Sequence, residues 1–110
     1  MQVKEYHTAG GKNLIAEYFK ATSKAEQLRY KEIIELLEDD GEIALQSLDT
    51  RKLRGKLWEI KFSQNRIMYV VKDETAIYFL HACQKQKNKA EKFELEKAIK
   101  RAKEAGLRVD

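Results

Sequence analysis

The chain has 110 residues, of which 22 are Lys or Arg, 18 are Asp or Glu, 43% are hydrophobic and one is cysteine. That length suits a single domain over 1–110, and that apolar share excludes intrinsic disorder; the lone Cys83 excludes a disulfide framework or a zinc cluster, and the absence of a long apolar run predicts a cytoplasmic protein without a membrane span or secretory leader. Charge is segregated: residues 1–50 hold 6 basic and 10 acidic side chains, a net of −4, and residues 51–110 hold 16 and 8, a net of +8, the pattern of a basic surface that meets a polyanion.

In chain order, Val3 to His7 read as an edge strand that runs into the turn signal Thr8-Ala9-Gly10-Gly11. Residues 13–21 place Leu14, Ile15, Tyr18 and Phe19 on one side of a short helix. Ser23 with Glu26 forms a capping-box pattern, after which Leu28, Ile33, Ile34 and Leu37 recur at helical spacing as far as Gly41, a residue that takes the left-handed conformation at helix ends. The two helices predict an antiparallel helical hairpin. From Leu57 the period becomes two: LWEIKF, RIMYVV and AIYFLHAC, separated by short polar turns, predict three adjacent antiparallel strands. Trp58, Ile60, Phe62, Ile67, Tyr69 and Val71 then face the helices, and Leu57, Glu59, Lys61 and Arg66 share the other, open face. In the third strand, Phe79, His81 and Cys83 are placed on the open face, with Tyr78, Leu80 and Ala82 inward. Ala90 to Ala105 form an amphipathic helix that Gly106 stops. Together the elements predict an α+β fold in which an N-terminal helical hairpin packs on a small antiparallel sheet and a C-terminal helix follows.

No metal site or cofactor is expected, because His7 and His81 are distant in sequence, no carboxylates have ligand spacing, and Gly10-Gly11 lacks the spaced glycines and the Lys-Ser/Thr ending of a phosphate loop. A half-buried strand cysteine such as Cys83 is read as packing. The remaining constellation is basic: Arg54, Lys56, Lys61 and Arg66 on or near the sheet, then Lys85, Lys87 and Lys89 at alternate positions. Fixed cations along a groove hold an RNA backbone and neutralise the charge that develops when a 2′-hydroxyl attacks its own phosphate. That reaction also needs a proton acceptor and a proton donor, and Glu59, His81 or a lysine with a depressed pKa are the candidates.

The segments Leu53-Arg54-Gly55-Lys56-Leu57-Trp58-Glu59-Ile60-Lys61, Asn65-Arg66-Ile67-Met68-Tyr69 and Ile77-Tyr78-Phe79-Leu80-His81-Ala82 resemble the phage-derived Gp49-like group of HigB toxins, within the RelE/ParE superfamily. The resemblance extends from Tyr6 to Phe19 and over Glu94 to Arg101. It implies a RelE-like fold and a metal-independent endoribonuclease that cleaves mRNA on the ribosome. It also implies neutralisation, in a hetero-oligomer, by a HigA-like antitoxin with a helix-turn-helix domain. Basic residues matching Arg66, Lys61 and Lys85 are its implied site. The chain departs from related sequences at Gln86, where a lysine is usual, and at Leu95, where some members carry a tyrosine, so Tyr69 and His81 stand as substitutes for a helix-borne acid or base. The alternatives are a ParE-like inhibitor of DNA gyrase and a noncatalytic nucleic-acid-binding protein.

Overall fold

The computed structural model describes residues 1–85 and 89–110, with the side chains of 89 and 90 excepted. Strand β1 (Gln2–Glu5) comes first, followed by helices α1 (Leu14–Lys20) and α2 (Lys24–Asp40), a 3₁₀ helix (Gly41–Ser47), strands β2 (Thr50–Arg54), β3 (Leu57–Phe62), β4 (Asn65–Asp73) and β5 (Ala76–Gln84), and helix α3 (Lys89–Glu104). The strands form one five-stranded sheet in the order β1-β5-β4-β3-β2.

This arrangement corrects the expected fold. The sheet is mixed rather than antiparallel, because β1 pairs in parallel with β5, Val3 lying opposite Ile77. Parallel neighbours need a long crossover, and the helices α1 and α2 belong to it rather than forming an N-terminal hairpin. Each docks on the sheet, α1 against β5 and α2 against β1. Asn13 caps α1 by accepting from the Ala16 amide at 2.9 Å. Ser23 caps α2 by accepting from Glu26 N–H at 3.2 Å, and Gly41 ends it at φ +70°. The reciprocal half of the capping box is replaced, since the Glu26 carboxylate accepts instead from the Ser63 hydroxyl.

The sheet is buried on both faces. On one, Ile60, Ile67, Tyr69, Ile77 and Phe79 pack against Ile15, Phe19, Tyr30, Ile33 and Leu37 of α1 and α2, and the Phe19 and Tyr30 rings stack at 3.9 Å between centroids. On the other, Leu57, Met68, Val70 and Leu80 pack under Ala98 and Ala102 of α3, with Val109 closing the end. The face expected to be open is therefore covered over β4 and β5 by α3. A register shift opposite Met68 and Tyr69 breaks the alternation of β5, so that Met68 faces His81 while Tyr69 faces Phe79. As a result Phe79 lies in the α1/α2 core, Tyr78 and Leu80 lie under α3, and His81 and Cys83 stay on the α3 side, which reverses the expected positions of Phe79, Tyr78 and Leu80.

Candidate nucleic-acid interface and active site

The turn between β3 and β4 brings Lys61 opposite Arg66, and β5 adds Cys83 beside Arg66. One row along, Arg51 of β2 lies opposite Glu59 of β3, which lies opposite Met68. Where α3 leaves this end of the sheet uncovered, a cavity of about 220 Å³ is lined by Lys61, Arg66, Lys85, Glu59, Arg51 and Glu91, with Met68, Cys83 and Gln84 completing it. Four of the expected catalytic residues, Arg66, Lys61, Lys85 and Glu59, thus meet around one hollow.

Arg66 donates from Nη1 to the carbonyls of Asn65 (2.8 Å) and Ser63 (3.3 Å), so its guanidinium is anchored over the β3–β4 turn by neutral acceptors. Among the described residues no carboxylate lies within ion-pair distance of it. A fixed guanidinium of this kind keeps its charge available to an incoming phosphate, which its planar fork fits. Lys61 is loosely paired with Asp49 at 3.7 Å. The Lys85 amide donates to Gln64 at 2.6 Å, which ties the exposed lysine to the same turn.

Glu59 is almost fully buried, at 2% exposure, and its carboxylate accepts from Arg51 Nε at 2.8 Å. Arg51 also reaches Glu91 on α3, and these partners hold its guanidinium charged by raising its pKa. Arg51 and Glu91 escaped the sequence reading because they arrive from an edge strand and a helix. The signal available was the run Thr50-Arg51-Lys52-Leu53-Arg54, whose polarity hid a strand.

His81 lies outside the cavity. Arg101, which can only donate, approaches Nδ1 at 2.9 Å, so that nitrogen accepts and Nε2–H donates to Glu94. Burial lowers the pKa of His81, which keeps the ring neutral. Cys83 completes the chain; burial and Glu94 push its thiol up to about 12, so it is protonated rather than a nucleophile. Ligand atoms of His81, Cys83 and Glu94 lie within 4.8 Å of one another. A metal on Nε2 would need a proton on Nδ1, where the Arg101 guanidinium already donates, so the trio is built as a hydrogen-bonded chain.

The other expected positions disperse. Arg54 lies at the far end of β2, beside Lys103 and Arg108. Lys56 lines a separate hollow on the α1/α2 side with Trp58 and Tyr69. Tyr69 is core, with its phenol pushed up to about 12 by burial, and Trp58 is 37% exposed. Lys87 and the side chain of Lys89 lie outside the described residues. Among the described residues no helix is long and apolar enough to cross a membrane.

The profile of the family described as "Phage derived protein Gp49-like (DUF891)" matches residues 17–103, a span that takes in α2, the 3₁₀ helix, β2 to β5 and most of α1 and α3. No curated protein matches the chain.

Proposed function

Because the chain belongs to the phage-derived Gp49-like family, we propose that it is the toxin of a toxin–antitoxin pair, a HigB-type endoribonuclease that cleaves mRNA on the ribosome. A HigA-like helix-turn-helix antitoxin would restrain it. The observation that carries the reading is the meeting of Arg66, Lys61 and Lys85 around one cavity, with Arg66 free of a carboxylate partner among the described residues.

In this reading the scissile phosphate lies against Arg66 and Lys61. The 2′-oxygen bonds to phosphorus as the bond to the 5′-oxygen breaks, leaving a 2′,3′-cyclic phosphate and a 5′-hydroxyl. Arg66 and Lys61 stabilise the charge that grows on the equatorial oxygens. Glu59 lines the cavity and takes the 2′-hydroxyl proton; Lys85 at the rim supplies the proton to the departing oxygen. All atoms that move belong to RNA and to these side chains, so the scheme needs no cofactor. His81, turned toward Glu94 and Arg101, has a positioning role.

The test is to induce the chain alone and map RNA 5′ ends with and without translation. Translation-dependent cuts within reading frames are expected from the native chain. Loss of cleavage by a factor of about 100 or more is expected from Arg66→Ala, the scale on which removal of one transition-state donor acts. Intact RNA with damaged DNA would replace this reading with gyrase inhibition.

A further inference from the structure

Glu59 occupies a place suited to an apolar side chain. It is 2% exposed, lies opposite Met68 and follows Leu57 by two residues on the same strand face, and both of those belong to the core under α3. An apolar residue there would extend that core, whereas a buried carboxylate must be desolvated and then paired, an exchange that adds little to stability. The ion pair with Arg51 therefore calls for a reason other than folding.

Arg51 lies directly across from Glu59 in the β2–β3 pairing, and its Nε donates to Oε2 at 2.8 Å. The neighbouring donor of the same planar group, Nη2, is taken by Glu91 in the first turn of α3, so carboxylates from two elements fix the guanidinium. Oε1 of Glu59 has no hydrogen-bond partner among the described residues. Nor is it one of their buried side-chain atoms left unpaired, a group that consists of Asn65 Nδ2. Oε1 therefore opens on the cavity that Glu59 lines with Lys61 and Arg66. One carboxylate oxygen is held in the strand pair, and the other faces the place proposed for the reacting phosphate.

We infer that Arg51 is a positioning residue for the nuclease: by binding Oε2 it aims Oε1 of Glu59 at the 2′-hydroxyl, while Glu91 keeps the guanidinium in place. The inference rests on the proposed nuclease reading and on the part Glu59 takes in it. A proton acceptor works only within hydrogen-bond reach of its proton, and a displacement of about 1 Å costs on the order of 100-fold in rate. Lysine at this position would bring the same charge without the planar fork that reaches two carboxylates at set angles.

The test is single-turnover cleavage of mRNA on purified ribosomes by the native chain and by Arg51→Gln, Arg51→Lys, Glu59→Gln and Arg51→Gln/Glu59→Gln. In Arg51→Gln the rate at saturating protein is expected to fall on the order of 100-fold, with half-saturation and affinity for uncleavable 2′-O-methyl oligouridine unchanged. Arg51→Lys, which still neutralises Glu59, should keep the native unfolding midpoint yet lose rate to the same extent. The double variant no longer buries an unpaired charge and so folds. It should match the rate of Glu59→Gln alone to within about twofold, because Arg51 acts only through Glu59. A native rate in Arg51→Gln, full recovery in Arg51→Lys, or losses that multiply in the double variant each overturn the inference. So does weaker oligouridine binding with a shallower salt dependence, which would make Arg51 a ligand of the phosphate through Nη1, a donor without a partner among the described residues. In each of these outcomes the native chain cleaves. Messenger RNA left intact by the native chain would instead sink the nuclease reading, and this assignment with it.

Discussion

The two faces of the sheet solve different problems with the same strands. Under α1 and α2 the contact is aromatic and aliphatic from edge to edge, with Ile15, Ile33, Leu37, Ile60, Ile67, Ile77 and Phe79 fully buried. Under α3 the apolar contact stops short: alanines 98 and 102 let the helix approach Met68, Val70 and Leu80, and beyond them the same face carries Glu59, Arg51, Lys61 and Arg66. One face therefore supplies most of the burial that stabilises the fold. The other uses a narrower core to hold charges at fixed spacing, which is costly unless each buried charge is paired. The Arg51–Glu59 pair is the place where that condition is met.

The comparison is broken most forcefully on the apolar face. Phe79→Ala removes a fully buried ring among Tyr30, Phe19 and Ile77 and is expected to cost about 3–5 kcal/mol in denaturant unfolding. Arg66→Ala, whose guanidinium donates to the local carbonyls of Asn65 and Ser63, is expected to change unfolding by about 1 kcal/mol or less while removing cleavage. A stability loss of equal size in the two variants would erase the division of labour between the faces.

Gly55→Ala sharpens it from the α3 side. Gly55 sits at φ +56° in the β2–β3 turn, and a Cβ there would lie 2.0 Å from the Val109 carbonyl oxygen. That carbonyl also accepts from the Lys56 amide, and the Val109 side chain belongs to the α3-face core. An added methyl must push the tail off, with an expected cost of about 2 kcal/mol from strain and lost packing together. Hydrogen exchange should rise in residues 107–110 and at Lys56, with α1 and α2 protected as before. Exchange that rises equally on both faces would show that the tail supports the whole sheet.

These faces were unequally legible in the sequence. Ser23 and Gly41 marked the ends of α2 because caps are local chemistry, and β3 to β5 announced themselves by alternation. Lys61 and Arg66 were legible as a pair, since a tight turn between two alternating strands puts them opposite each other. Strand β2 was hidden by its polar composition, and the parallel pairing of β1 was hidden because its partner follows more than seventy positions later. The bulge near His81 shifted side-chain parity by one, an event no period-two pattern contains. Arg51 and Glu91, 40 positions apart, meet only through the packing of α3.

The smallest expected effect tests the chain of hydrogen bonds between the two regimes. His81 is faced by Glu94, Arg101 and Lys97 from α3 and has Cys83 beside it on β5. Burial is the largest influence and lowers its pKa, with Arg101 and Lys97 acting in the same direction against Glu94. In the unfolded chain the imidazole returns to its ordinary value of about 6.5, so as pH falls the unfolded state takes up a proton first. His81 therefore contributes stability that is complete above about pH 6.5, declines as pH falls toward its lower folded value, and levels off beneath that value. Unfolding midpoints measured from about pH 8 to about pH 5 should show this decline in the native chain and a flatter profile in His81→Gln. An equal decline in both would move the titration to the carboxylates. A rise in the native midpoint on acidification would mean that Glu94 prevails over burial and that the ring beside the cavity is charged.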